Sequence, residues 1–308
     1  MATTYKVNPK HMHLKKENNK NWLMIIIVAA LVIYAICILA PFLWGVISSF
    51  KIKEDFRNNF NFGLPLMDGG YVNYINALKQ LKIQIDMADG SSRYAYFPEL
   101  LSNSLIYSFG CAVIQNVVSC MVAYLCSKYS HHKITKVIYG IVIVTMILPI
   151  CGSLASEIQM AKNLHLFDSF LGIFVMRANF LGMNFMIFYA AFKTIPNDFA
   201  EAAQMDGANH FQILSKIMAP LIVPTFFITF LLSFIGYWND YYIPMIYLPS
   251  HPTIAYALYC FEKNSHPTVS FVPARLAACI IVFIPVFILF LIFRKKLIGN
   301  LTVGGLKG

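Results

Sequence analysis

Charge is what this chain of 308 residues has least of. Only 12% of its residues are charged and 58% are hydrophobic, whereas a soluble domain carries about 25% charged residues. Water is therefore excluded as the main solvent. No internal repeat is visible, which argues against the two related halves common in secondary transporters. No C-x-x-C pair occurs. Of the seven cysteines, Cys37, Cys111, Cys120, Cys126, Cys151 and Cys279 fall in apolar stretches and only Cys260 in a loop. That pattern excludes a disulfide framework and a thiolate metal site, and leaves small apolar packing residues. G-x-x-x-x-G-K-[ST] is missing too, so the chain cannot cradle nucleotide phosphates. H-E-x-x-H, a nucleophile elbow and paired carboxylates within the apolar stretches are also missing. The chain is not expected to be an enzyme.

What fills the chain instead is apolar. A hydrocarbon core about 30 Å thick takes roughly 20 apolar residues per helix. Stretches of that order recur at 22–50, 100–127, 137–156, 169–192, 217–239 and 276–293, the fourth interrupted by Arg177. They predict an all-α polytopic membrane protein with six transmembrane helices. Barrel strands would alternate rather than run continuously. The first stretch is longer than the apolar region of a cleaved signal and lacks a small-x-small site after it, so it reads as a retained span. Arg177 at the bilayer centre would cost roughly 2.5–3.5 kcal/mol. It lies eight residues past Ser169 and is expected to reach back to the outer interface.

Lys and Arg set the orientation. Segments 1–21, 128–136, 193–216 and 294–308 hold 14 of the 24 basic residues and 4 of the 14 acids, while the rest of the chain holds 10 of each. Basic loops face the cytoplasm, so both termini are expected inside. The net charge of +10 is a topology signal and calls for no nucleic-acid partner. His11, His13, His131 and His132 lie in these polar segments without a third ligand, and are read as solvated.

One polar segment stands between two apolar stretches: PNDFAEAAQMDGANHFQILSKIMAPLIVP, residues 196–224. Pro196 and Asn197 end the fourth span, and Asp198 with Glu201 has capping-box spacing for a new helix. Gly207 breaks that helix, a second begins at Asn209, and Pro220 and Pro224 are expected to mark the turn into the fifth span. An amphipathic helix lying on anionic lipid would carry Lys and Arg. This one carries Asp198, Glu201 and Asp206, with the small pair Ala202-Ala203, which favours docking on another protein.

Glu201-Ala202-Ala203, three further residues, Gly207, then Ile217 and Pro220, resembles the cytoplasmic "EAA" loop of ATP-binding-cassette (ABC) importer permeases. Ser49-Phe50-Lys51, Asn103-Ser104, Ala123-Tyr124, WNDYYIPMIYL (238–248) and the terminal LTVGGLKG (301–308) are similar to motifs of the maltose-type carbohydrate permeases, and the likeness is to their second, G-type subunit. The resemblance implies the type I importer permease fold. The domain organisation would be a cytoplasmic tail (1–21), a six-span permease domain (22–296) with an outer loop (51–99) and the EAA loop (196–220), and a cytoplasmic tail (297–308). It also implies that the EAA helix is a coupling helix. Glu201, Ala202, Ala203, Asp206, Gly207, Ala208, Phe211, Ile217 and Pro220 would dock on an ATPase subunit, and Gly304, Gly305, Lys307 and Gly308 would add a C-terminal ATPase contact. Asn103, Trp238, Asn239 and Asp240 would lie on the substrate path, Trp-Asn-Asp being equally suited to capping a helix at the interface.

Implied partners are a second permease, two ATPase subunits, an extracytoplasmic solute-binding protein, a sugar or oligosaccharide, and the bilayer of a bacterial cytoplasmic membrane. ATP and Mg would be bound by the ATPases and no cofactor by this chain. Import of another solute class stays open, as does an ATP-independent channel or secondary transporter. The outer loop is longer than the family pattern. Within it, 71–82 is expected to form a helix with Val72, Ile75, Leu78 and Leu81 along one face, and Gly63-Leu64-Pro65, Asp68-Gly69-Gly70 and Asp89-Gly90-Ser91 are expected turns.

Overall fold

A computed structural model describes residues 21–58, 63–66, 68–87, 90–148 and 152–301, with the side chains of 22–293 among them. The described residues are mostly helical. Among the described residues, four helices are long and apolar enough to cross a membrane: Trp22–Ser49, Phe97–Lys128, His210–Asn239 and Val272–Phe293.

Helix α1 (Asn21–Ser49) is apolar all round and packs against α14 (Val272–Leu301). Most of its large side chains stand exposed. Such a helix needs an apolar solvent on its free faces. Its C-terminal end is buried by the segment that follows, which contains α2 (Lys53–Asn58) and α3 (Tyr71–Gln80). Helix α3 forms as expected, but a different face is buried. Val72, Ile75 and Leu78 are exposed, while Asn73 and Ala77 point inward. The reason is polar: Asn73 Nδ2 donates to the carbonyls of Ser49 and Lys51, each at 2.8 Å. These carbonyls lie at and just past the end of α1, where a helix leaves acceptors unpaired.

An antiparallel hairpin follows, with β1 (Lys82–Asp86) paired to β2 (Ser92–Tyr96) so that Ile83 faces Ala95 and Lys82 faces Tyr96. Ile83, Ile85 and Ala95 join Leu81, Leu100, Trp238, Ile254 and Phe261 in one buried cluster. The hairpin was not anticipated, although KIQID alternates as a half-buried strand should. Of the turn expected at Asp89-Gly90-Ser91, Asp89 lies outside the described residues, Gly90 holds φ 80° and Met87 N–H bonds the Ser91 carbonyl at 2.8 Å.

Helix α4 (Phe97–Lys128) is the central post. At 1.5 Å per residue its 32 residues span about 48 Å. It packs most extensively on the helices at Met183–Thr194 and Ala219–Asn239. The third and fourth expected spans differ from the single helices anticipated. The third becomes α5 (Lys133–Ile147), with α6 (Leu154–Asn163) separate from it. The fourth is divided into α7 (Phe170–Arg177) and α8 (Met183–Thr194). Between them Gly182 holds φ 143°, a conformation that L side chains avoid.

Helix α9 (Asp198–Met205) is followed by α10 (His210–Gln212), a π-helical turn (Ile213–Met218), then α11 (Ala219–Asn239). The turn expected at Pro220 and Pro224 is therefore absent, and helix continues from His210 to Asn239. Pro220 follows the π-helical turn and Pro224 lies inside α11, so neither ends the helix. Short helices α12 (Tyr242–Tyr247) and α13 (Ile254–Glu262) then lead to α14.

Candidate functional site

The segment 196–220 is built from two capped helices. Helix α9 ends in a Schellman motif: Ala208 N–H bonds the Ala203 carbonyl at 2.9 Å and Gly207 N–H bonds that of Gln204 at 3.0 Å. Gly207 sits at φ 82°, the left-handed position this motif reserves for glycine. Two residues on, Asn209 Oδ1 accepts from Gln212 N–H at 2.9 Å and Gln212 Oε1 from Asn209 N–H at 3.0 Å. This capping box belongs to the second helix. The expected one at Asp198 and Glu201 is not formed, and the residue before α9, Asn197, makes no cap of its own.

Asn197 is otherwise engaged. Lys128 Nζ, at the C-terminal end of α4, donates to the Ile195 carbonyl at 2.5 Å and to Asn197 Oδ1 at 3.1 Å. The next residue, Tyr129, places its hydroxyl 2.7 Å from His210 Nδ1. One corner of the α4–α5 connection thus ties down the entry to the segment and the start of its second helix. Ala203 is buried with Phe192, Ile213 and Met218, and Ala208 and Ile217 pack partly buried against that cluster. The outward side carries Glu201, Ala202, Asp206 and Pro220 together with Phe199, Met205 and Phe211, the last two 90% and 73% exposed. Acids beside uncovered apolar side chains make a surface suited to a protein partner.

A second constellation runs through the span helices. Tyr107 donates to Asp240 Oδ2 at 2.9 Å, and Tyr237 to Gln115 Oε1 at 3.0 Å. The Tyr107 and Tyr237 rings meet edge to face at 5.7 Å. Deeper, Asn116 Nδ2 donates to Ser233 Oγ at 3.0 Å and Asn184 Nδ2 to the same oxygen at 2.9 Å, joining α4, α8 and α11. Arg177 lies within electrostatic reach of Tyr107, Cys111 and Tyr237. It stands at the C-terminal end of α7.

The residues singled out for a substrate path are placed apart. Trp238 is 1% exposed and its indole N–H donates to the Val282 carbonyl at 3.3 Å. Buried Asn103 donates to the Pro252 carbonyl at 3.1 Å. Asn239 is exposed, bonds the Ile235 carbonyl of its own helix at 2.9 Å, and lines a cleft with Tyr241, Tyr259, Glu262 and Arg275. Asp240 caps α12 through Tyr242 and Ile243 N–H. Gly304, Gly305, Lys307 and Gly308 lie outside the described residues. Gln115, Asn116, Ser119, Asn184 and Ser233 were missed, although amides and hydroxyls inside apolar stretches are themselves a signal.

A mostly helical chain with four helices, among the described residues, long and apolar enough to cross a membrane has the architecture of a polytopic membrane protein. Residues 115–301 match the family described as binding-protein-dependent transport system inner membrane component, and the chain belongs to it. It is 30% identical over 208 residues to the arabinooligosaccharides transport system permease protein AraQ of Bacillus subtilis, covering 67% of this chain and 72% of that one. It is 26% identical to the trehalose/maltose transport system permease protein MalG of Thermococcus litoralis, over 92% and 97% of the two chains. Among solved structures, its fold is similar to a chain of a bacterial ABC transporter involved in the import of the acidic polysaccharide alginate. That match has TM-score 0.71 and 25% identity, and covers 90% of this chain and 97% of that chain.

Proposed function

We propose that this chain is one of two membrane subunits of an ATP-driven, binding-protein-dependent importer for a sugar or oligosaccharide. The observation that carries this reading is the segment 196–220. It is rigidly capped at Gly207 and Asn209, tied to α4 through Lys128 and Tyr129, and uncovered at Phe199, Met205 and Phe211. Saccharide permeases among the relatives supply the substrate class.

In this reading α5 and the α7–α8 pair complete six crossings and both termini are cytoplasmic. A homologous second permease, two ATPases that bind ATP and Mg, and an extracytoplasmic solute-binding protein complete the assembly. Closure of the ATPases on ATP moves the coupling segment, and the α4 corner passes the motion to the spans. The C-terminal residues 301–308 reach the ATPase pair. Asn239 and Asp240 meet substrate at the outer mouth, where Trp238 and Asn103 hold the scaffold behind them.

The test is proximity. A cysteine placed at Ala202 and one in the facing groove of the ATPase subunit should cross-link in membranes of cells expressing the whole system. Failure to cross-link with any groove position on the ATPase, in an assembled complex, contradicts the assignment.

A further inference from the structure

We infer that the cleft at the start of α14, with the apolar groove beside it between α1 and α14, holds one phospholipid whose headgroup joins a phosphate to a primary ammonium. This takes its membrane orientation from the importer reading above, which puts the start of α14 at the outer leaflet, and adds a resident lipid to that reading.

Unpaired charge is the first argument. The cleft, of about 280 Å³, is lined by Arg275 and Glu262 together with Tyr241, Tyr259 and Cys279. Arg275 Nε is buried without a hydrogen-bond partner among the described residues, and a guanidinium is the side chain best shaped to grip a phosphate. Among the described residues the ion pairs are Arg93–Glu99 and His251–Asp168, so Arg275 and Glu262 share one cleft without closing on each other. The adjacent cation, Lys263, is turned to Tyr259, its ammonium 2.7 Å from the hydroxyl and 4.2 Å from the ring centre. A headgroup carrying both signs answers both residues, with its phosphate on Arg275 and its ammonium on Glu262.

Continuity is the second. Cys279 lines the cleft and also a groove of about 260 Å³ between α1 and α14. Phe42, Leu276, Ile280 and Phe283 line that groove, which has no charged side chain, and the Phe42 and Phe283 rings meet edge to face at 5.6 Å. Along α14 the lining therefore passes from a charged residue to apolar ones. At 1.5 Å per residue, the step from Arg275 to Phe283 is about 12 Å, within the roughly 15 Å half-thickness of a hydrocarbon core. That is the polarity gradient of one lipid leaflet.

Other occupants fit less well. A saccharide's hydroxyls find no partners in an apolar groove, where each one buried unpaired is costly. A headgroup with net negative charge meets Glu262, and a quaternary ammonium has no N–H to donate to it. Asn239 also lines the cleft, but its amide already donates to the Ile235 carbonyl at 2.9 Å.

The experiment uses the complete transporter in phosphatidylcholine nanodiscs with a trace of phospholipid carrying a diazirine in its acyl chain. Three probes share that chain and differ in headgroup: phosphoethanolamine, phosphocholine and phosphoglycerol. After illumination, the peptides containing residues 41–46 and 276–283 should be labelled at least about tenfold more by the phosphoethanolamine probe, the scale of one charge-assisted hydrogen bond. Arg275→Gln should bring that labelling down to the level of the other probes. Glu262→Gln should erase the advantage over phosphocholine, and because Glu262 is exposed this variant stays informative if Arg275→Gln lowers abundance. Equal labelling by the three probes, labelling unmoved by Glu262→Gln, or labelling displaced by saturating maltotriose overturns the lipid site. Uptake of labelled sugar by the wild type in proteoliposomes is scored separately, so that its failure counts against the importer reading and not against headgroup selectivity.

Discussion

The ammonium of Lys128 lies 2.5 Å from the carbonyl oxygen of Ile195, joining the last residue of α4 to the end of α8. The same ammonium reaches Asn197, so a single cation closes the C-terminus of one helix and the approach to the next. Hydrogen bonds to charged groups contribute about 1.5–3 kcal/mol. Lys128→Met should leave the protein in the membrane but loosen the joint, so that ATP is hydrolysed with several-fold less sugar moved per ATP. Lys128→Arg should restore most of that ratio. Equal ratios in Met variant and wild type would remove Lys128 from the transmission.

Gly207 offers a purely conformational test. A Cβ added there meets nothing within 4 Å, yet the residue holds φ +82°. Left-handed backbone costs an ordinary residue roughly 1–2 kcal/mol, less for Asn. Gly207→Leu should therefore reduce transport strongly and Gly207→Asn only mildly. Equal effects would point to side-chain bulk instead of backbone.

Much of this was legible in the residues. Apolar length marked the spans at α1, α4, α11 and α14, and Gly207 marked the end of α9 because its chemistry is local. What stayed hidden depended on partners distant in sequence. The buried face of α3 is chosen by Asn73 answering the carbonyls of Ser49 and Lys51, which no periodicity reveals. Asn197 is diverted from capping by Lys128, 69 residues away. Helix runs through Pro220 and Pro224 behind a π turn, which single-residue breaker rules do not foresee. The break between α7 and α8 was not foreseen because Ala178–Gly182 holds a single polar side chain, Asn179.

Trp238 and Asn239 are neighbours with opposite fates. Removing the buried indole leaves a cavity, and such truncations cost about 3–5 kcal/mol. Trp238→Ala should deplete folded protein, measured as membrane abundance and thermal midpoint in detergent. Asn239→Ala removes an exposed side chain, and should keep abundance while raising the sugar concentration for half-maximal uptake. If both variants changed abundance alone, the outer-mouth role of Asn239 would fall.

Asp240 serves two helices, accepting from Tyr107 and capping α12. Asp240→Ala leaves three donors without their acceptor, at about 1–3 kcal/mol for each one that stays buried, and should lower the thermal midpoint clearly. Tyr107→Phe deletes a single bond and should lower it less. A larger loss in Tyr107→Phe would contradict this division.

Everything above turns on whether the acidic face of α9 couples these spans to an ATPase. The direct measurement is ATP hydrolysis and labelled-sugar uptake, taken together in proteoliposomes holding the full transporter with Glu201→Lys. Glu201 is exposed, so folding and membrane abundance should be unchanged. Uptake should fall at least about tenfold, and loaded binding protein should no longer stimulate hydrolysis. Wild-type uptake with wild-type stimulation in that variant would contradict the account.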